Sequence, residues 1–309
     1  MEIQKQKIKA TRTVYCYYFP EIRKIVDEVV KNYPHEIFLS SITPGLDNFH
    51  IPIIDKFIQY HKKLVPNLND FPFKYFTEGS RQGIFHFLVE LKCKEPNAKI
   101  YVLKGEYEGY KEYAIRIGVE IIEVDENEDF SKLEPGIFFI SNPSGRDGNI
   151  ISNEFIEETC KNHRIVYDLA YVGLTREFTF KVSHPNIIAV MASMSKPFGM
   201  YYYRAGFVFT REPLGTLIAN KWFKNIFSLI ITEKVLDKIK PQQLYKKYRP
   251  IQEKIVNNLN KEHNLNLKTS DVILLANTTE SIDPFVRDKF CRFCLTPYFL
   301  EEEYPKGKI

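Results

Sequence analysis

The chain has 309 residues, 44% hydrophobic and 27% charged, which suits one large core or two unequal domains. With 43 basic against 39 acidic side chains the net charge is only +4, which excludes a protein built around nucleic acid or an anionic membrane surface. Five scattered cysteines (Cys16, Cys93, Cys160, Cys291 and Cys294) argue against a disulfide framework and for a reducing, cytoplasmic compartment.

Residues 1–12 are charged and lack the apolar core of a secretory signal. No run reaches the length of a membrane-spanning helix, and the segment before Pro20 is too short for a helix-turn-helix module. Residues 20–30 carry apolar side chains at helical spacing behind Pro20. Residues 37–39 read as a short strand, Pro44-Gly45 as a turn, and residues 52–64 as a helix with Ile53, Ile54, Phe57 and Ile58 on one face. Gly79-Ser80-Arg81 stands just before a helix over residues 82–91.

From there apolar strands alternate with amphipathic helices. Strands are expected at 99–103, 119–124, 136–141, 164–168 and 186–191, with a helix at 110–117 and another capped by Ser152. Near-continuous apolar strands between helices predict an α/β fold with a mostly parallel sheet covered by helices. After Arg211 the pattern changes. Residues 214–240 are helical and basic, 243–263 form one long helix, and strands are expected at 271–275 and 290–295, which suits a small α+β domain. Cys291 and Cys294 lie three apart on that last strand, so they face opposite ways and make a poor metal site.

Lys196 sits in Ser193-Met194-Ser195-Lys196-Pro197-Phe198-Gly199, just beyond a buried strand, with Arg204 eight residues on. A lysine that is partly desolvated and close to another cation has a lowered pKa and becomes a nucleophile towards carbonyls. Ligands of a parallel sheet bind beyond the carboxyl ends of its strands. Four further elements belong there. Gly79-Ser80-Arg81 is either an anion site at a helix start or an ordinary cap. Asn142-Pro143-Ser144-Gly145 is a turn. Asp168-Leu169-Ala170-Tyr171 ends a strand and also suits capping and packing. Glu106-Tyr107-Glu108-Gly109-Tyr110 follows another strand, with tyrosines that also suit a core.

Taken in order and spacing, these elements resemble the fold-type I pyridoxal-phosphate enzymes, most closely the class I/II aminotransferases of the aspartate aminotransferase superfamily. The resemblance covers residues 39–292 and is most specific over 142–206. It implies pyridoxal 5'-phosphate held by Lys196 as a Schiff base, with Asp168 facing the pyridine nitrogen. Asn142 and Tyr171 would bond the phenolic oxygen, and Tyr107 would stack on the ring. Gly79, Ser80, Arg81, Ser193 and Arg204 would form the phosphate cup, with or without Ser195. Arg292 would clamp the substrate α-carboxylate. Lys196, Asp168 and Tyr171 would be the catalytic residues. The implied organisation is an N-terminal segment, 1–45, packing with a small domain, 244–309, around a large cofactor domain, 46–243.

The chain departs from the family in three places. The segment before the phosphate loop is shortened, and Tyr60 and Tyr75 are the only candidates for a tyrosine that reaches a partner subunit. The interval from Arg204 to Arg292 is compressed. Tyr201-Tyr202-Tyr203 replaces small residues. The expected function is an aminotransferase of amino acid metabolism or biosynthesis, acting on an L-amino acid and a keto acid as a homodimer. The alternatives are a lyase, decarboxylase or oxidase with the same cofactor, or a non-catalytic binding protein on the same scaffold.

Overall fold

A computed structural model describes residues 8–42, 48–219 and 224–303. Two helices come first, α1 (Pro20–Ile42) and α2 (Ile51–His61). Among the described residues, seven strands then build the larger sheet: β1 (Phe73–Thr77), β2 (Ile100–Leu103), β3 (Ile121–Val124), β4 (Ile137–Ser141), β5 (Arg164–Leu169), β6 (Ile187–Ser193) and β7 (Gly206–Thr210). Their spatial order is β1-β7-β6-β5-β4-β2-β3. All neighbours from β3 across to β6 pair in parallel, and β7 alone runs against both of its neighbours.

The strands are apolar on both sides because both faces are covered. Phe138 and Ile140 enter one core, while Ile137 and Phe139 enter the other. On the second face lie α3 (Ser80–Lys94), with Ile84, Leu88 and Leu91, and α4 (Glu108–Arg116), with Tyr110 and Ala114. On the first, α2 supplies Ile53, Ile54, Phe57 and Ile58 and α5 (Asn153–Cys160) supplies Ile156. Ser152 caps α5 by accepting the Phe155 N–H at 3.2 Å.

Helices α6 (Gly215–Ala219), α7 (Ile226–Lys238) and α8 (Gln243–His263) lead to a four-stranded antiparallel sheet. It is made of β8 (Lys268–Thr269), β9 (Leu275–Thr278), β10 (Val286–Arg287) and β11 (Phe290–Cys294), in the order β10-β11-β9-β8, and is followed by α9 (Thr296–Glu303). The N-terminal segment joins this sheet, with Thr11 bridging to Cys294.

Parallel pairing aligns the carboxyl ends of the strands: Ser141 lies beside Asp168, and Asp168 beside Met191. The antiparallel β7 starts at that same edge, where Gly206 pairs with both Ser193 and Thr77. A Cβ on Gly206 would lie 2.5 Å from the Cα of Gly79, so glycine is required for the two backbones to approach. The edge therefore gathers β6, β1, the start of α3 and the residues just before β7.

Two strand expectations are corrected. Residues 37–39 continue α1; a run of three apolar residues fits either period. Residues 271–274 form a buried turn, and the strand begins only at Leu275. Val272 and Ile273 are apolar because they plug the junction with the larger sheet's loops, their N–H groups donating to Gly148 O at 3.1 Å and Leu174 O at 3.3 Å. Residues 73–77, not assigned as a strand from sequence, form β1. The turn expected at Pro44-Gly45 lies outside the described residues. Among the described residues no helix is long and apolar enough to cross a membrane, and no metal-ligand cluster occurs.

Phe207, the second residue of β7, is fully buried, stacked on Phe57 at 4.1 Å and edge-on to Phe76 at 5.8 Å. Phe207→Ala should cost roughly 3–5 kcal/mol of unfolding free energy, measured by denaturant titration; a loss below about 1 kcal/mol would mean the core closes over the gap.

Candidate active site

A cavity of about 740 Å³ opens at the carboxyl edge of the larger sheet. Ser80, Arg81, Tyr107, Asp168, Tyr171, Ser193, Ser195, Lys196, Arg204 and Arg292 all line it. These residues come from segments more than 200 positions apart, and the strand order is what brings them together.

Lys196 stands three residues past β6 on a loop closed by the Met194 N–H to Ala205 O bond at 3.0 Å. Its Nζ lies 5.3 Å from the centre of the Tyr171 ring. Burial alone would lower its pKa, but the nearby Tyr171, Cys16, Tyr107 and Asp168 side chains hold it above the ordinary value of 10.5. This corrects the expected depression, because the neighbours that decide it are acids and not a second cation.

Asp168 forms part of the cavity wall and is 4% exposed. Its Oδ2 accepts the Tyr110 hydroxyl at 3.0 Å and its Oδ1 accepts the Ala170 N–H at 3.1 Å. Burial pushes its carboxyl pKa up to about 6, against the lowering effects of the Tyr110 bond and Lys196. Burial likewise pushes the Tyr110 phenol well above its ordinary value, so it remains a donor to Asp168. Sequence alone left Tyr110 as a core residue, and the structure gives it this second task.

The anion cup is built on close backbone contact. Gly79, at φ +88°, precedes α3, and a Cβ there would sit 2.7 Å from the Arg204 guanidinium. Arg204, itself at φ +46°, donates to Glu78 O at 2.7 Å and to Ser195 Oγ at 3.3 Å. Ser193 Oγ accepts the Ser195 N–H at 3.0 Å, so both serines face the cup. The α3 N-terminus, with Ser80 and Arg81 in its first turn, adds N–H groups and the positive end of the helix dipole.

Asn142 is not brought to the cavity. It is fully buried, and its amide donates to Ile151 O at 2.9 Å and the Tyr167 hydroxyl at 2.6 Å while accepting the Ile151 N–H at 2.9 Å. Those bonds occupy the side chain, so its expected place beside the cofactor is corrected: Asn142 ties the turn to β5, and Ser141 and Gly145 reach the cavity.

Arg292 is 4% exposed and donates to Gly145 O and, at 2.9 Å, to Arg12 O. Arg287, missed from sequence, lines the same cavity and is 8% exposed. Burial first, and Arg292 second, push its pKa down to about 10, with Glu108 opposing them from 3.3 Å. In both guanidinium groups Nε has no hydrogen-bond partner among the described residues. The available signal was the short hairpin: Arg287 pairs with Phe290, and alternation then puts Arg287 and Arg292 on one face.

The Asp168 shift gives a stability test. A carboxyl whose folded pKa is raised above its unfolded 3.8 contributes stability that is fully present below that value and lost as the pH rises through about 6. In the cofactor-free chain, Asp168→Asn should gain roughly 3 kcal/mol relative to the parent between about pH 4 and pH 7, read by urea unfolding. A constant difference over that range would contradict the buried, raised carboxyl.

The profile of the family described as aminotransferase class I and II matches residues 74–267. A comparison with curated protein sequences gave no match. Solved structures share the fold at low identity. The histidinol-phosphate aminotransferase of Clostridium acetobutylicum superposes with a TM-score of 0.68 at 16% identity, covering 94% of this chain and 96% of its own. The L-threonine-O-3-phosphate decarboxylase of Porphyromonas gingivalis gives 0.66 at 13%, with the same 94% and 96% coverage. The PLP-bound C-S lyase of Staphylococcus hominis gives 0.67 at 14%, covering 93% and 86%. The glycine-lined anion cup, the buried carboxyl and the lysine on one cavity fit pyridoxal 5'-phosphate. The chain belongs to the class I and II aminotransferase family and is a pyridoxal-phosphate-dependent enzyme.

Proposed function

We propose that the enzyme transfers an amino group between an L-amino acid and a keto acid. The observation that carries this reading is Arg292, a buried guanidinium on the cavity that Lys196 and Asp168 also line, which, among the described residues, no carboxylate reaches. A substrate α-carboxylate would complete it through paired N–H donors.

When bound, pyridoxal phosphate supplies the electron sink for the bond broken at the substrate α-carbon. Ser80, Arg81, Ser193, Ser195 and Arg204 would hold its phosphate, and Asp168 would keep the proton on its ring nitrogen. Tyr107 would pack on the ring, and Tyr171 would donate to its phenolic oxygen. Lys196 Nζ lines the same cavity and, in its unprotonated form, would take the proton from the substrate α-carbon. In the second half-reaction it would return a proton to the α-carbon of the accepting keto acid. Arg287 favours a substrate with a second anionic group, because it is a second buried guanidinium on the same wall.

A lyase or decarboxylase on the same site is the second reading, favoured by the decarboxylase and C-S lyase among the structural neighbours. We also propose a homodimer, supported by the exposed aromatic side chains Phe85 and Tyr201 at the cavity and the 89%-exposed Tyr202 packed against Tyr201. Residues 46–243 would form the cofactor-binding part, with 1–45 and 244–309 packed together as the smaller part.

Three measurements test these readings. Without an acceptor, the loaded enzyme should release one keto acid per site and stop, and Lys196→Ala should release none; continued turnover with loss of carbon dioxide or a thiol would favour the second reading. Arg287→Leu should raise KM for two-anion amino acids about tenfold or more and leave single-carboxylate ones within about twofold, a contrast of roughly 1 kcal/mol. Light scattering should give twice the chain mass.

A further inference from the structure

Glu106 has no part in the mechanism above, yet it is 5% exposed beneath the cavity floor. Its Oε2 accepts the Ser141 hydroxyl at 2.6 Å and the Tyr107 N–H at 3.1 Å. Its Oε1 accepts the Ser144 hydroxyl at 2.7 Å. Ser141 Oγ in turn accepts the Gly145 N–H at 2.7 Å, and Gly145 O holds the Arg292 guanidinium. A Cβ on Gly145 would lie 2.9 Å from Glu106 Oε2, so the turn is pressed directly on the carboxylate.

We propose that Glu106 is a positioning residue for the substrate carboxylate: it locks the 141–145 turn so that Gly145 O fixes Arg292 in its binding pose. This rests on Arg292 being the clamp, as proposed above.

The bonding pattern requires a carboxylate at this position. Ser144 Oγ already accepts from Arg146 N at 3.2 Å and Arg146 Nε at 3.1 Å, so its own proton goes to Glu106. Both Glu106 oxygens are therefore acceptors. A carboxamide turned one way sets its NH₂ against the Ser144 oxygen, whose acceptor capacity is used. Turned the other way, it sets that NH₂ against the Tyr107 N–H. Glutamine has the right shape and fails on donors. The negative charge is balanced by Arg146, whose Nε lies 3.8 Å away and whose other end pairs with Glu126 at 2.5 Å. The same carboxylate thus holds Tyr107 through its backbone and Arg292 through Gly145, joining the ring-covering and carboxylate-binding walls of the cavity.

The test compares the loaded enzyme with its Glu106→Gln, Ser144→Ala and Arg292→Leu variants. The probes are the best donor from an L-amino acid screen and the amine made by removing its carboxylate. The readouts are the affinity of each probe, from the change in visible absorption, and the cofactor affinity. Glu106→Gln should lower the amino acid's advantage over the amine by about tenfold or more and Ser144→Ala by a smaller factor; a loss confined to cofactor affinity, with that advantage unchanged, would overturn the positioning role. If Glu106→Gln does not fold, Ser144→Ala with Ser141→Ala decides the same point. If Arg292→Leu removes the advantage and the Glu106 or serine variants do not, the positioning role is overturned. If Arg292→Leu leaves the advantage intact, the clamp itself fails.

Discussion

A carboxyl group buried at the end of a parallel strand is the constraint around which this active site is arranged. Asp168 sits in the floor of the larger sheet, where burial works against its charge. The fold offsets that cost with one phenol, one backbone N–H and the nearby ammonium of Lys196. A cationic ring nitrogen would complete the set, and for this reason the same buried acid destabilises the bare protein and suits the loaded one.

The other charges follow the same logic. Arg204 is held by main-chain carbonyl groups and a serine, and Arg292 by carbonyl groups alone, so each keeps charge for a ligand. Arg287 is partly matched by Glu108. Glu106 is saturated by serine hydroxyls and one N–H, and it shapes the cavity from below. The buried acids Asp168 and Glu106 are thus satisfied by hydrogen bonds, while Arg204 and Arg292, which line the cavity, have no carboxylate partner among the described residues.

Much of this was legible in sequence because it is local. The apolar runs of β4, β5 and β6, the cap at Ser152 and the span of α8 follow from periodicity and end signals. The order of Gly79, Asp168, Lys196 and Arg204 marked the cofactor chemistry because those residues sit at strand ends and helix starts. Failures came where a residue's task depends on distant partners. Asn142 has the expected turn, yet its amide is taken by Ile151 and Tyr167. The 271–274 run is apolar because it fills a junction, which no strand period encodes.

The sequence by itself determined the alternating elements and the cofactor class, since each is written in contiguous residues. Only the tertiary structure decided that Arg287 shares a face with Arg292, that Glu106 bonds to both Tyr107 and the 141–145 turn, and that Lys196 lies near Tyr171, Tyr107, Cys16 and Asp168. Those relations depend on hairpin register and strand order, which set distances between residues as far apart as Gly145 and Arg292. Charge and hydrogen bonding respond to such distances through space, and spacing along the chain does not record them.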